Sequence, residues 1–595
     1  MHACLFIQEI LIAIFSELED HVYHTTWIPR PSRILRRHPD TLRTLASLAR
    51  TCRAFKDPAL DILWREIPDL AVLIEHILPT ELLSYDEAMD HLSFPSAPRE
   101  DHWALLDPYV QRIRAIGVVV PPTKCVWKVT LDPQTVLQPL EAHLQSRTAK
   151  EGILIPHLER VIYHPSWDHE IYFRLLLHSH LLELELPTVT LSHPAPPLWD
   201  PSSQSADKDV PRIWNTPYWL VTRIMPFVRN MNCLQTLWLC GERLDADTLL
   251  HLDTLPTLTT LAFECKFASM RFPPRIELPM KPFRALKQLL ISIWDGDAHR
   301  FLPHIDPEAL DTVTVYWDRL MHSAGSAHCV SSWLTEMPCA HMLKHVTFIL
   351  DRALYYRFDP ECPPPAETRI LMGYVASAQF LKPCLNMSQL QTLEISIDLI
   401  FQVDNAFVLE LAQNLPHLES LSLVPPLKSD FSFGWSDAAD VRYGGSPADP
   451  PALPTLDGLL PLFEYCIELA SLKIAVESTF SISCSEASIV PSPRLRTLEL
   501  WTTELAPVVG DDSFVDYFAK TFPCLDEFCI ALPSKPFIFV KPRLPIPLPQ
   551  VRARWQSVLD GVSSAILSDR GIPCSTELVA FLPRTTRNAS TSFRT

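Results

Sequence analysis

One apolar motif, Leu-x-x-Leu-x-Leu, recurs through most of this 595-residue sequence and constrains the fold more than any other feature. Other aliphatic or aromatic residues replace some of the leucines, and many successive motifs begin 23 to 30 residues apart. The twelve motifs begin at Leu158, Leu181, Leu234, Leu258, Leu286, Leu310, Leu343, Leu390, Leu418, Leu469, Leu495 and Leu525. Since side chains alternate between the two faces of a strand, we expect each motif to form a strand with its leucines directed inward.

Helical segments precede some of the motifs, as at 403–415 and 514–522, and a short Leu-Pro-x-Leu junction recurs between helix and motif. Alternation of helix and strand at this period resembles the leucine-rich repeats, in which neighbouring repeats stack into a curved solenoid. Val189, Glu242 and Thr503 stand where that family usually has Asn or Cys, so we expect an irregular array. The expected fold class is α/β: an irregular leucine-rich-repeat solenoid with a parallel sheet on its concave side.

The segment ahead of the motifs has the pattern of three amphipathic helices. Apolar residues recur every three or four positions from Phe6 to Leu18, and Asp40 is expected to cap a second helix. Asp57-Pro58 is expected to cap and open the third. Together the three segments resemble the F-box, a small all-α module that docks onto the Skp-type adaptor of cullin–RING ubiquitin ligases. The resemblance is to the type expanded in basidiomycete fungi.

The resemblance implies that nine apolar residues pack within this module or contact the adaptor. They are Ile10, Leu11, Ile14, Phe15, Leu45, Leu48, Cys52, Phe55 and Trp64. Two departures from the family pattern are present, because no proline opens the first helix and an insertion, residues 19–39, separates the first helix from the second.

The sequence therefore divides into four predicted regions. They are an F-box-like helical module (1–80), a linker with one helix (81–115), the repeat solenoid (116–570) and a disordered tail (571–595). Three long intervals between motifs, 192–217, 351–368 and 425–454, are expected to be loop insertions in the solenoid. A helix over 551–567 is expected to close it.

Composition disfavours several classes of function. The formal net charge of −18 disfavours nucleic-acid binding, and the 13 glycines form neither GxGxxG nor GxxxxGK[ST]. The 15 cysteines are dispersed without a CxxC pair, which favours buried thiols over zinc sites or disulfides, and His157, His178 and His180 lack ligand spacing. We therefore expect no catalytic, cofactor-binding or metal-binding residues, no membrane segment, and a cytoplasmic or nuclear location.

By resemblance, the chain is expected to be the substrate-recognition subunit of a Skp–cullin–F-box ubiquitin ligase and not itself an enzyme. Its helices would bind the Skp-type adaptor, and through it a cullin, while its later repeats, 390–530, would bind a protein substrate. Interface energy concentrates in aromatic residues, although a role in the core is an equal alternative for each candidate. The candidate substrate contacts are Trp238, Trp294, Trp317, Trp435 and Trp501.

Two other interpretations stay open. One is a non-ligase repeat scaffold whose F-box-like helices only cap the solenoid. The other, with less support, is an enzyme with a site between the long loops.

Overall fold

The structure is a computed structural model, and the chain forms two compact units, Met1–Leu286 and Lys287–Thr595. The described residues are 7–17, 39–86, 91–117, 130–147, 153–162, 170–186, 224–240, 251–265, 283–293, 307–317, 333–334, 336–337, 339–350, 375–378, 381–396, 400–424, 453–476, 492, 494–501, 515, 518–532, 548–570 and 575–580. The three predicted loop insertions lie outside these residues, apart from 453–454.

The first unit alternates helices with short strands. Its helices are α1 (Gln8–Ser16), α2 (Pro39–Thr51), α3 (Arg53–Leu63), α4 (Leu70–Ile77), α5 (Glu100–Trp103), α6 (Asp107–Val110), α7 (Gln138–Arg147) and α8 (Glu170–Leu176), with a 3-10 turn at Thr80–Leu82 and a π-helical turn at Pro133–Leu137. Its strands are β1 (Glu66–Ile67), β2 (Ser84–Asp86), β3 (His91–Ser93), β4 (Ala115–Ile116), β5 (Thr130–Leu131), β6 (Arg160–Ile162), β7 (Glu183–Leu186), β8 (Thr236–Cys240) and β9 (Thr260–Cys265).

The second unit continues the alternation. Its helices are α9 (Asn405–Asn414), α10 (Leu460–Tyr465) and α11 (Leu548–Arg570), with 3-10 turns at Ala340–Met342, Lys382–Asn386 and Asp457–Leu459. Its strands are β10 (Gln288–Ile293), β11 (Thr312–Trp317), β12 (His345–Leu350), β13 (Val375–Ser377), β14 (Thr392–Ser396), β15 (Ile400–Gln402), β16 (Ser420–Ser422), β17 (Ser471–Ala475), β18 (Thr497–Trp501), β19 (Glu527–Leu532) and β20 (Ser575–Ala580).

Each unit contains a sheet of parallel strands. In the first unit the order is β1-β4-β6-β7-β8-β9, and in the second it is β10-β11-β12-β14-β16-β17-β18-β19-β20. The chain adds strands in sequence order, as expected for repeats that stack on their neighbours. Two small sheets lie beside these, one formed by β2, β3 and β5 and one by β13 and β15. The predicted α/β class with stacked parallel strands is therefore confirmed.

The leucines of the motif form the core, as predicted. In all twelve motifs the residues at positions one and four are at most 2% exposed, and so is position six in the eleven motifs where it is described. Parallel pairing aligns equivalent positions, so that Leu393 lies beside Leu421 and Leu421 beside Leu472. Residues between the leucines lie on the other face of the sheet, which we call the polar face.

A tight turn precedes the motif and explains the Leu-Pro-x-Leu junction. Three residues before the first leucine lies a residue that we call the turn residue, whose carbonyl accepts a hydrogen bond from that leucine's N–H. The bond is 3.2 Å from Leu418 to Leu415 and 3.3 Å from Leu525 to Phe522, and both turn residues are buried. Proline suits the next position because its fixed φ matches such a turn.

The sheet extends beyond the predicted solenoid boundaries at both ends. β1 and β4 already pair in parallel, and Ile67 and Ile116 occupy the motif's fourth position. The array therefore starts before residue 116, inside the range predicted for the helical module. At the other end β20 pairs with β19, so the prediction of a disordered tail was wrong for 575–580. The closing helix is confirmed as α11, with Val558 and Leu559 buried.

The three N-terminal helices are present, with two corrections to their predicted starts. Asp40 was expected to cap the second helix, but α2 begins at Pro39, so Asp40 lies within its first turn. The third was expected to begin at Asp57-Pro58, but α3 begins at Arg53, one turn earlier. Cys52 is extended and its carbonyl accepts hydrogen bonds from the N–H groups of Phe55 and Lys56, which closes the first turn. Pro58 is therefore inside the helix, where it leaves one intrahelical bond unmade.

Candidate functional site

Helix α1 has one wide apolar surface, of which only part is buried. Its inner face carries Leu11 and Phe15, which are 2% and 5% exposed. Beside this inner face lie Ile10 and Ile14, which are 37% and 46% exposed, and the N-cap residue Ile7, which is 47% exposed, precedes them. Ile10 and Ile14 are one turn apart and lie about 100° around the helix from Leu11 and Phe15. We call Ile7, Ile10 and Ile14 the outer stripe.

The inner face belongs to a small hydrophobic cluster formed by α1, α2 and α3. Its buried residues are Leu11, Phe15, Leu45, Ala59 and Ile62, and the partly buried Leu48, Ala49, Phe55 and Leu63 pack against them. The rings of Phe15 and Phe55 meet edge to face, with centroids 5.7 Å apart. The three helices thus enclose a core of their own, distinct from the leucines of the repeat motif.

The nine predicted adaptor residues therefore divide into two groups. Leu11, Phe15 and Leu45 are buried within the helices, and Leu48 and Phe55 are partly buried against them. Cys52 is half-buried at the start of α3, and Trp64 contacts Tyr109 with ring centroids 4.9 Å apart. Ile10 and Ile14 are the two exposed members.

The predicted set omits Ile7, which the structure adds to the outer stripe. The signal was present in the sequence as apolar residues at 7, 10 and 14. Two acidic residues near the outer stripe in sequence are also exposed: Glu9 in the first turn of α1 and Glu17 at its C-cap.

The two candidate tryptophans whose side chains are described are buried. Trp238 and Trp501 are 5% and 6% exposed, although both point away from the motif's leucines. A partner could reach either indole only if the residues that cover it moved. Trp294 and Trp435 lie outside the described residues, as does the side chain of Trp317 in β11.

Trp501 occupies a closed pocket on the polar face. Its Nε1–H donates to Oε1 of Glu499 at 2.7 Å, and Glu499 also lies 3.6 Å from the ammonium of Lys473. Val424 and Ala475 are buried beside the indole, and Leu453 packs against this cluster. Leu453 is one of the two described residues at the end of the predicted insertion 425–454, so the end of that insertion contacts the polar face.

The described cysteines are free thiols, and the buried ones are poor nucleophiles. Burial raises the pKa of Cys384 and of Cys466 to about 12. The Sγ of Cys466, a turn residue, donates to the carbonyl of Leu415 at 3.3 Å, which is a structural contact. Within the described ranges, no group of three or more His, Cys, Asp or Glu side chains is placed to hold a metal ion.

No protein-family model matches this chain, and a search of curated proteins found no similar sequence. In the part of the chain that the structure describes, no helix combines the length and apolar character needed to cross a membrane.

Proposed function

We propose that this chain is the substrate-recognition subunit of a Skp–cullin–F-box ubiquitin ligase, with the outer stripe of α1 as its main contact to the adaptor. The observation that carries the proposal is the exposed part of the apolar surface of α1. A helix on a protein surface normally directs its apolar residues to the core and polar residues to solvent. Isoleucines left exposed beside a buried face are typical of a helix that binds a partner.

The separate core of the helices supports a docking module. A helical cap would merge its apolar residues with the core of the first repeat, whereas α1, α2 and α3 bury theirs among themselves. A module with its own core can present the outer stripe without disturbing the repeats. The sequence resemblance of the same helices to the F-box names the partner class, a Skp-type adaptor.

The proposed mechanism requires no covalent chemistry by this chain. The adaptor and cullin would bring the ubiquitin-transfer machinery to α1, while the repeat array would hold a protein substrate. Tethering the two raises their effective concentration and makes transfer nearly intramolecular. The array suits this role because stacked repeats offer an extended surface.

The test replaces exposed residues of the outer stripe. In Ile10→Glu/Ile14→Glu each charge would have to enter an apolar contact unpaired. We expect the affinity for a purified Skp-type adaptor to fall at least about 100-fold, or about 2.7 kcal/mol, in biolayer interferometry. The fold should be unaffected, since both side chains are already exposed. A Leu11→Asp variant is unsuitable, because Leu11 belongs to the core of the helices.

The matched control is Leu409→Glu, an equally exposed leucine at 38% on helix α9 of the second unit. It should bind the adaptor like the unmodified chain. Absence of adaptor binding by the unmodified chain, or equal affinity of the stripe variant and the control, would reject the proposal.

The scaffold interpretation has one observation in its favour. Strand β1 follows the end of α3 after two residues and pairs with β4, so the helices join the array without a linker. If the helices are only a cap, the stripe variant should bind every partner of the unmodified chain. Pull-down with mass spectrometry separates the two, since only the ligase subunit should recover adaptor and cullin peptides.

A further inference from the structure

Arg112 connects the N-terminal helices to the first repeats. It lies between α6 and β4, directly before Ile113, which takes the motif's first position. Its side chain is only 18% exposed and reaches α3, where Nη2 donates to Oδ1 of Asp57 at 2.7 Å and Nη1 donates to the carboxylate of Asp61.

Two further hydrogen bonds fix the guanidinium in place. Nη1 also donates to the backbone carbonyl of Asp57 at 3.2 Å, and Nε donates to the carbonyl of Pro108 at 3.0 Å. One side chain therefore binds α3 at three acceptors and its own turn at a fourth. The planar fork of arginine matches such a set of acceptors, whereas lysine offers a single ammonium.

The position of the two aspartates explains why α3 needs this cation. Asp57 and Asp61 are four residues apart, so they lie on the same side of the helix. Like charges at this spacing repel, and the carboxylate of Asp61, in the last turn of α3, also opposes the helix dipole. Arg112 offsets both effects. The ring contact between Trp64 and Tyr109 joins the same two segments.

We propose that Arg112 is the positioning residue that fixes α1, α2 and α3 in one orientation on the first repeats. The hydrophobic cluster of the three helices contains no described residue of the twelve repeat motifs, so polar and aromatic contacts are the means of fixing this orientation. An ion pair also joins two turns elsewhere in the array. Glu468 and Arg494 each directly precede the first leucine of a motif, as Arg112 precedes Ile113, and their side chains form an ion pair. The fixed orientation does not depend on the proposed function. Only its use in ubiquitin transfer rests on that function.

The experiment measures orientation in the full chain. Spin labels are introduced through unnatural amino acids at the exposed positions Arg50, on α2, and Glu183, on β7. Double electron–electron resonance then gives their distance distribution. We expect a single narrow distribution that broadens at least twofold in Arg112→Gln and less in Arg112→Lys. The control Arg99→Gln removes an exposed arginine that pairs with Asp101 at 3.3 Å, and it should leave the width unchanged.

Asp57→Asn/Asp61→Asn is a second variant that breaks the contact without altering Arg112, and it should broaden the distribution in the same way. Hydrogen exchange within α1 should remain slow in both variants, because the core of the helices is intact. An unchanged width in Arg112→Gln would overturn the proposal, and so would a loss of protection throughout α1. Adaptor affinity, measured in parallel, tests the proposed function separately, because the outer stripe is untouched.

Discussion

His178 occupies a position that the repeats otherwise fill with apolar or small residues, and replacing it should stabilise the first unit. It is the turn residue of the motif at Leu181, and its carbonyl accepts the Leu181 N–H at 3.2 Å. The equivalent residues with the same bond are Ile155, Met231, Leu255, Phe283, Ala340, Met387, Leu415, Cys466 and Phe522, all buried. We therefore predict that leucine can replace His178 at this turn position without disturbing the packing.

The ring of His178 is poorly satisfied. Its Nδ1 accepts a hydrogen bond from the His180 N–H at 3.2 Å, which places the proton of the neutral ring on Nε2. That Nε2 is buried without a partner among the described residues. Burying an unsatisfied donor costs about 1–3 kcal/mol, and the lost bond to His180 is worth about 0.5–1.5 kcal/mol, so we expect a net gain of about 1 kcal/mol at pH 7.5.

The effect should grow as the pH falls. Burial lowers the pKa of His178, and the charge of His180 lowers it further. The unfolded chain then binds a proton at pH values where the folded chain does not, so stability decreases below the ordinary histidine pKa of 6.5 until the lowered folded pKa is passed. One such proton gives a slope of at most about 1.4 kcal/mol per pH unit, which His178→Leu removes.

Hydrogen exchange of peptides covering β7, measured from pH 7.5 to 5.5, reports this local stability. The matched control is His157→Leu, which replaces an exposed histidine in the preceding turn. It should change neither the local stability at pH 7.5 nor the slope of that stability against pH. A residual slope is expected from His251, whose pKa is lowered by burial and by Arg229. Parallel pH profiles for His178→Leu and the unmodified chain would refute the reasoning, as would a loss of stability at pH 7.5.

Three further predictions concern the sheet, each measured by urea unfolding. Leu393→Ala should cost about 2–5 kcal/mol as a core cavity, whereas Thr392→Ala on the polar face should cost less than about 1.5 kcal/mol; equal losses would contradict the register. Gly117→Ala should cost about 2–4 kcal/mol, because Gly117 has φ of 89° and an added Cβ would collide with a carbonyl oxygen of β6. Glu499→Leu should cost about 1–3 kcal/mol by removing the acceptor that the Trp501 indole N–H bonds at 2.7 Å, whereas Glu499→Gln retains an acceptor and should cost less; the reverse order would count against that bond.

The repeat array was predictable because its signal is local and repeated. Each motif places three apolar residues on one face, and the same pattern predicts the same strand at every occurrence. The array was predicted to begin at residue 116, within β4, and β1 was missed because it is only two residues long, so a motif match there is short. The start of α3 was missed because Asp57-Pro58 has the sequence pattern of a helix start, whereas the hydrogen bonds to the Cys52 carbonyl that begin the helix leave no such pattern.

Which residues of the polar face are buried could not be predicted from a local sequence pattern. The sequence places Trp501 on the face opposite the leucines, but it is buried in a cluster with Val424 and Ala475, against which Leu453 packs, and all three are distant along the chain. The pairing of Arg112 with Asp57 and Asp61 likewise joins residues more than 50 positions apart. The apolar surface of α1 was visible as spacing, but which part of it α2 and α3 cover depends on tertiary packing.

The irregular spacing of the motifs is compatible with one regular register. Leu418 and Leu469 begin motifs 51 residues apart, while the motif at Leu495 follows after only 26. The strands nevertheless pair in the same register, with Leu421 beside Leu472 and Leu472 beside Leu498. Doubling the length of a connection costs only about 0.6 kcal/mol in closure entropy, much less than the core contacts that fix the register. The motif, not the period, therefore determines the fold, and connections between repeats are free to vary in length without shifting the strands.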